Sequence, residues 1–394
     1  MPQNLREKAK LLVLAILALF SLALFSCQSA KRPRAKNLRL LFAGDIMAHT
    51  QNFSMKDYSL IWDDIREQVE AADFSFANLE APVDKSKPFE SYPTFNMQPS
   101  YPAAALDAGF NLISLANNHS NDQGSAGIKA TALWAAQIEG RAQTKSEGKP
   151  QTRARPVFFS GITEGGQMSF RQFHWHEYKI AFIAVTELLN TWKNYEEINY
   201  VPPTKKGRAA FVQKIGAMKA ALEPDLFIVS VHTSEEEYVL TVLPEVQKFY
   251  KDLLAAGADI VVSNHPHVIR PVELVGQKAD KKIRKAIIYA NGNTISGQRR
   301  LLNYEEPGQI WNYTGDGRLF EMELAIDKKG FFALNYKTTF ITAFTPQGER
   351  SPVIKRLDEN FIKTLSENGQ KKDSKYYQAR LDALKKIKDI LTWQ

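Results

Sequence analysis

The chain has 394 residues, 44% of them hydrophobic and 24% charged, with a formal net charge of +8. This ordinary globular balance excludes a disordered chain or a multi-span membrane protein. No basic motif interleaved with aromatics recommends nucleic acid as a partner, and one cysteine excludes an intrachain disulfide.

Residues 1–10 are polar and basic, and residues 11–25 form a short apolar run, LLVLAILALFSLALF. That is the layout of a secretory signal, and it is short for a membrane-spanning helix. The run ends at Ser26-Cys27. A small residue before a cysteine at that place marks a lipoprotein signal, in which cleavage leaves Cys27 free for acylation. The competing reading is an uncleaved signal anchor with an incidental cysteine. Both export the domain, and the first predicts a lipid anchor in the bacterial cell membrane or outer membrane. The expected boundaries are a signal peptide at 1–26 and lipidated Cys27 with a polar tether to residue 37. The basic run Lys31, Arg32, Arg34 and Lys36 fits either a solvated linker or attraction to an anionic surface.

From Leu38 onward, apolar runs alternate with helical patterns, the signature of α/β layering. Leu38–Ala43 reads as a buried strand and Leu60–Ala72 as a helix with Leu60, Ile61, Ile65 and Val69 on one face. A strand at Phe74–Asn78, a short helix at Pro102–Ala108, a strand at Leu112–Leu115 and a helix at Ala126–Ile138 follow. Residues 140–156 read as a polar insertion, 157–161 and 168–186 as paired strands, and 187–204 as a Pro-containing connection. Helices are expected at 206–222 and 244–256, strands at Leu226–Val231, Ile260–Ser263, 286–290, 319–325 and 331–342. The segment 373–392 places Tyr377, Leu381, Leu384 and Leu391 in helical register. One domain over 38–345 with a helical extension over 346–394 is the expected organisation.

Five of the seven histidines (His49, His119, His232, His265 and His267) lie just past the end of a predicted strand. In open α/β sheets ligands bind at the carboxyl ends of strands. The same ends carry Asp45, Asn78, Glu80, Asn117, Asn118, Asp122 and Asn264. Such a mixed N/O set suits a divalent transition metal (Zn, Mn or Fe) better than calcium. Taken singly each element has a plain alternative: Gly44-Asp45 a turn, Asn117–His119 a hydrogen-bonded loop, His232 a satisfied core histidine. His265-Pro266-His267 is stronger, because alternate residues of an extended segment face the same way. The convergence of five strand ends is what argues for a site. His174 and His176 alternate with Phe173 and Trp175 like the outer face of a half-buried strand, and read as surface residues. Glu235–Glu237 reads as the acidic start of a helix or a solvated face, with one member available to orient a histidine.

At GDIMAH (44–49), NLEAP (78–82), GFNLISLANNHSNDQG (109–124), VSVHTSEEEY (229–238), AAGADIVVSNHPHVIRPVE (255–273) and IIYANGNTISGQ (287–298) the sequence resembles the CapA family, associated with poly-γ-glutamate capsule synthesis. The resemblance implies a metallophosphatase-like (calcineurin-like phosphoesterase) fold, an α+β four-layer sandwich of two mixed β-sheets packed face to face and flanked by helices. It implies two metal ions held by Asp45, Glu80, Asn118, His232, His265 and His267, with Glu80 between them. His119, with Asp45, would be catalytic; His49 would stand as a further ligand and Asn293 would shape the rim. The chain departs from the family's pattern at His232-Thr233-Ser234, Ser263-Asn264 and Thr294, which alters pocket walls rather than ligands. The function implied is metal-assisted hydrolysis in the synthesis or processing of poly-γ-glutamate or a related envelope polymer, with a phosphate or γ-glutamyl substrate and a polymer synthase complex as candidate partners. Two other functions remain open: a non-catalytic polymer-binding or export subunit, and a periplasmic phosphoesterase or nucleotidase.

Overall fold

A computed structural model describes residues 37–143 and 155–394. The leader, Cys27, the tether to residue 36 and positions 144–154 of the polar insertion lie outside the described residues.

Strands β1 (Leu38–Ile46), β2 (Phe74–Leu79), β3 (Leu112–Ser114) and β4 (Phe158–Ser160) begin one sheet. The next six build a second: β5 (Arg171–Trp175), β6 (Tyr178–Thr186), β7 (Leu226–His232), β8 (Ile260–Asn264), β9 (Val272–Gln277) and β10 (Lys282–Ile288). The chain then returns to the first sheet with β11 (Asn293–Ile295), β12 (Asp316–Asp327), β13 (Gly330–Phe344) and β14 (Val353–Arg356), and closes the second with β15 (Ile390–Trp393). In the first sheet β1 to β4 run parallel, while β12 to β14 add antiparallel partners. In the second, β6, β7, β8 and β10 are parallel, β5 runs against β6, and β9 runs against β10. Both sheets are therefore mixed, as expected.

The layering follows from side-chain alternation along strands buried on both faces. On β1, Leu38, Leu40 and Phe42 point into a core shared with Ile180 and Phe182 of β6, Ile228 of β7 and Val262 of β8. That shared core is where the two sheets meet. Leu41 and Ala43 point the other way, into a core containing Tyr101, Ala104 and Ala105 of the helix Ser100–Asp107 and Trp134 of the helix Gly124–Gln143. On the far side, Phe227, Val229 and Val231 pack with Phe211 and Ile215 of the helix Lys205–Leu222 and Phe249 and Leu253 of the helix Pro244–Ala255. Helix, sheet, sheet, helix is the resulting four-layer order.

Several local expectations are corrected. The helix expected over Leu60–Ala72 is a 3-10 turn at Tyr58–Ile61 and a separate helix at Arg66–Ala71. Asp64, between them, is drawn out by Arg356, which donates its backbone N–H to the carboxylate at 2.6 Å and its Nε to the carbonyl at 2.9 Å. Residues 157–161 do not pair with 168–186: β4 joins β3 in the first sheet, and β5 pairs β6 in the second. The helical register over 373–392 stops in the helix Lys371–Leu384, and Ile390–Trp393 runs parallel to β9. Residues 346–394 thus add a strand to each sheet, and Leu38–Gln394 forms one compact unit.

A buried ionic junction fixes that C-terminal helix. Asp316, at the start of β12, accepts from Arg299 Nη1 at 2.8 Å and Arg380 Nε at 2.8 Å, and all three side chains are almost fully buried. Removing one carboxylate leaves two guanidinium groups in a dry interior, where breaking a buried pair costs about 3–5 kcal/mol. Asp316→Ala is expected to lower unfolding free energy by that amount in urea titration. A loss below about 1 kcal/mol would mean the arginines find other partners.

Candidate metal centre

Because β1, β2 and β3 are parallel, their carboxyl ends lie along one edge; β7 and β8 do the same in the second sheet. The two edges meet at the predicted residues. Asp45 ends β1, Glu80 follows β2, Asn118 and His119 follow β3, His232 ends β7, and His265 and His267 follow β8.

The approach of these elements depends on glycine. A Cβ on Gly44 would lie 1.8 Å from the Gly292 carbonyl oxygen, so only glycine lets β1 pass the Asn291–Asn293 segment. Asp45 N–H then donates to that carbonyl at 3.1 Å, and Asp45 lies in register with Asn78 and Asn293. Past β8 the backbone turns through positive φ at His265 (102°) and His267 (54°). These are sparsely populated conformations for non-glycine residues, and such strain clusters at functional sites.

Two groups of ligand atoms result. Glu80, His265 and His267 form one, and Asp45, Glu80 and His232 the other; within each group the atoms lie within 4.8 Å of one another. All five side chains are buried, and Glu80 belongs to both groups. Its Oε1 lies 3.6 Å from His232 Nε2 and 3.7 Å from His267 Nε2. Asp45 accepts from Asn78 Nδ2 at 2.8 Å, and its other oxygen is 3.2 Å from His267 Nδ1. Asn118 joins through its Oδ1, 2.8 Å from His232 Nε2.

The electrostatics fit a cation. Burial, then the nearby Asp45, Glu237 and Asp122 charges, push the Glu80 carboxyl well above the usual carboxylate range. Glu80 Oε1 is buried without a hydrogen-bond partner. Burial and then the other imidazoles hold His232 and His265 well below the ordinary histidine value, so both stay neutral with lone pairs available. At His267 burial opposes protonation, but the Asp45 hydrogen bond and charge override it and raise the pKa. Carboxylates crowded together with the neutral His232 and His265 imidazoles and with His267 make an N/O donor set for a divalent transition ion, and the residues present fit one.

The remaining predicted residues take other places. His119 belongs to neither group: its Nδ1 is 2.6 Å from Asp122 Oδ2 and its ring stands edge-on to Phe95 at 4.7 Å. His49 also lies outside both groups. Its Nδ1 accepts from Gly297 N–H at 3.1 Å, and burial, followed by the charges of His267, His119 and Arg300, pushes its pKa down to about 3. Asn293 Oδ1 lies 2.9 Å from His267 Nδ1. Asn117 braces its turn, donating to the Leu79 carbonyl at 2.8 Å and accepting from His119 N–H at 3.2 Å. His174 and His176 are exposed. Glu235 starts no helix: it is buried, accepting from Arg270 Nη1 at 2.5 Å and from Leu243 N–H at 2.7 Å.

Sequence reasoning missed Asn190, whose Nδ2 is 3.0 Å from His119 Nδ1 and whose Oδ1 accepts from Asn118 Nδ2 at 3.2 Å. It lies in the 187–204 connection, where a lone asparagine carries no periodic or motif signal. Glu187 and Arg208 were missed likewise; they pair at 2.6 Å, and Glu187 N–H donates to the His232 carbonyl at 2.8 Å.

Fold and site together define a class: a four-layer α/β sandwich carrying a buried carboxylate–imidazole centre where the strand ends of its two sheets meet. Over residues 39–298 the chain matches the family model described as bacterial capsule synthesis protein PGA_cap, and it belongs to that family. It is 23% identical over 347 residues to the capsule biosynthesis protein CapA of Bacillus anthracis, covering 84% of this chain and 73% of that protein. To the PGA biosynthesis protein CapA of Bacillus subtilis it is 23% identical over 331 residues, covering 77% and 73%. Among solved structures, a calcineurin-like phosphoesterase from Bacillus subtilis aligns at 12% identity with a TM-score of 0.42, covering 87% of this chain and 99% of that one. A structural likeness so distant says nothing about activity.

Proposed function

We propose that this protein is an envelope-anchored hydrolase that uses a two-ion centre in the synthesis or processing of poly-γ-glutamate or a related envelope polymer. The carrying observation is that Glu80 belongs to both buried ligand groups. A shared carboxylate flanked by terminal imidazoles is what two adjacent ions require, and family membership supplies the polymer context. Asp45, His232 and Asn118 would hold one ion and His265 and His267 the other. When bound, the ions activate water at neutral pH and draw off the charge that develops on the scissile group.

The chain's own residues set the geometry around that chemistry. Asn78 donates to Asp45, and Asn293 lies against His267 Nδ1, so both ligands are held in place. The Asp122 carboxylate, accepting at His119 Nδ1, keeps the proton on that nitrogen and leaves Nε2 to exchange one with the leaving group. Anchoring through Cys27 is supported by the apolar run at 11–25 and the small residue before the cysteine.

The test is turnover by the full chain of γ-glutamyl polymer, phosphodiesters and nucleotides, before and after chelation. Cleavage of the polymer that stops with chelator and returns with Mn or Zn is expected. Polymer binding by the metal-free protein without any turnover would favour an accessory subunit. Turnover confined to nucleotides or small phosphate esters would favour a phosphoesterase.

A further inference from the structure

A cavity of about 710 Å3 opens near His49, bounded on one side by Gln51 and Gly297. The same Gly297 donates its N–H to His49, and Gln51 Nε2 donates to the Gly297 carbonyl at 3.3 Å. The cavity wall therefore reaches His49, which itself lies outside both ligand groups. Its volume falls within the range of small-ligand pockets.

The charge of the lining is unbalanced. Arg299 is already paired with Asp316. Arg300 and Arg350 also line the cavity, are exposed, and have no ion pair among the described residues. Asp373 is the carboxylate of the lining, and it is engaged, accepting from Tyr304 Oη at 2.6 Å and Gln370 Nε2 at 3.2 Å. Lys372 adds a further cation, its Nζ 4.2 Å from the Tyr304 ring centroid. Unpaired guanidinium groups in a concave wall are suited to bidentate recognition of carboxylate.

We propose that this cavity is the subsite for a polycarboxylate chain, with Arg300 and Arg350 binding pendant α-carboxylates of the segment that continues beyond the cleavage point. This rests on the polymer substrate proposed above. The subsite holds the chain as it leaves the metal centre, so its loss acts on binding rather than on bond breaking.

The experiment measures binding of a short synthetic γ-glutamyl oligomer to the full, metal-loaded chain by calorimetry, alongside Arg300→Ala, Arg350→Ala and the double variant. Both arginines are exposed, and matching thermal midpoints confirm that the variants fold. The expected result is a loss of at least tenfold in affinity for the double variant, partial recovery with Arg→Lys, and weakening with salt. An oligomer with amidated α-carboxylates is expected not to bind. Equal binding by the double variant, or by the amidated oligomer, would overturn the subsite. Tighter binding of a glycerol-phosphate oligomer than of the γ-glutamyl oligomer would overturn its carboxylate assignment. Metal content of the same samples separates the two proposals: arginine-dependent binding by a chain that holds no metal sinks the hydrolase and leaves the subsite standing.

Discussion

Glu80→Gln is expected to empty both halves of the metal centre while leaving the metal-free fold at least as stable as before. The substitution keeps shape and removes one negative charge. Little protein hydrogen bonding is lost, because Oε1 has no partner and Oε2 lies 3.4 Å from Asn78 Nδ2. The folded environment already disfavours the carboxylate: its pKa is raised, chiefly by burial. A carboxyl with a raised folded pKa destabilises the protein at pH above its ordinary range, so the neutral amide relieves a penalty at pH 7. A residue that served packing alone would behave oppositely. Removing even the outer partners of metal ligands costs 10–100-fold in affinity, so loss of a ligand shared by both groups should cost about a hundredfold or more. Elemental analysis gives metal content, and thermal unfolding in chelator gives stability. Wild-type metal content in the variant would remove Glu80 from the centre.

His119→Ala is expected to lower kcat by about 10²–10⁴, the usual contribution of a positioned acid or base, with metal content unchanged. The separation of the two readouts follows from its place, since His119 belongs to neither ligand group. Asp122→Asn should act in the same direction by removing the carboxylate 2.6 Å from Nδ1. Unchanged kcat with full metal content would make His119 a structural brace between Phe95 and Asn190.

Much of the fold and site was legible because both depend on local regularities. Continuous apolar runs mark strands buried on both faces, and parallel strands bring all their carboxyl ends to the same edge, which is why Asp45, Glu80, Asn118, His232, His265 and His267 meet. What escaped depends on long-range partners. Nothing near Ile390 signals a strand, because its pairing comes from β9, more than a hundred residues earlier. Asp64 breaks its helix for Arg356, a partner 292 residues away. Asn190 reaches the site only through the folded connection, and Glu235 is buried only because Arg270 is folded beneath it. His49 shows the converse: the motif offered it as a further ligand, but it belongs to neither group and a backbone N–H from Gly297 occupies its Nδ1.

A crystal structure of the metal-loaded chain, with data collected on both sides of the Mn and Zn absorption edges, tests the shared-carboxylate centre most directly. Two anomalous peaks are predicted, each about 2.0–2.2 Å from a Glu80 oxygen, one beside Asp45 and His232 and the other beside His265 and His267. No peak at these residues in metal-supplemented crystals, or peaks that leave Glu80 uncoordinated, would contradict it.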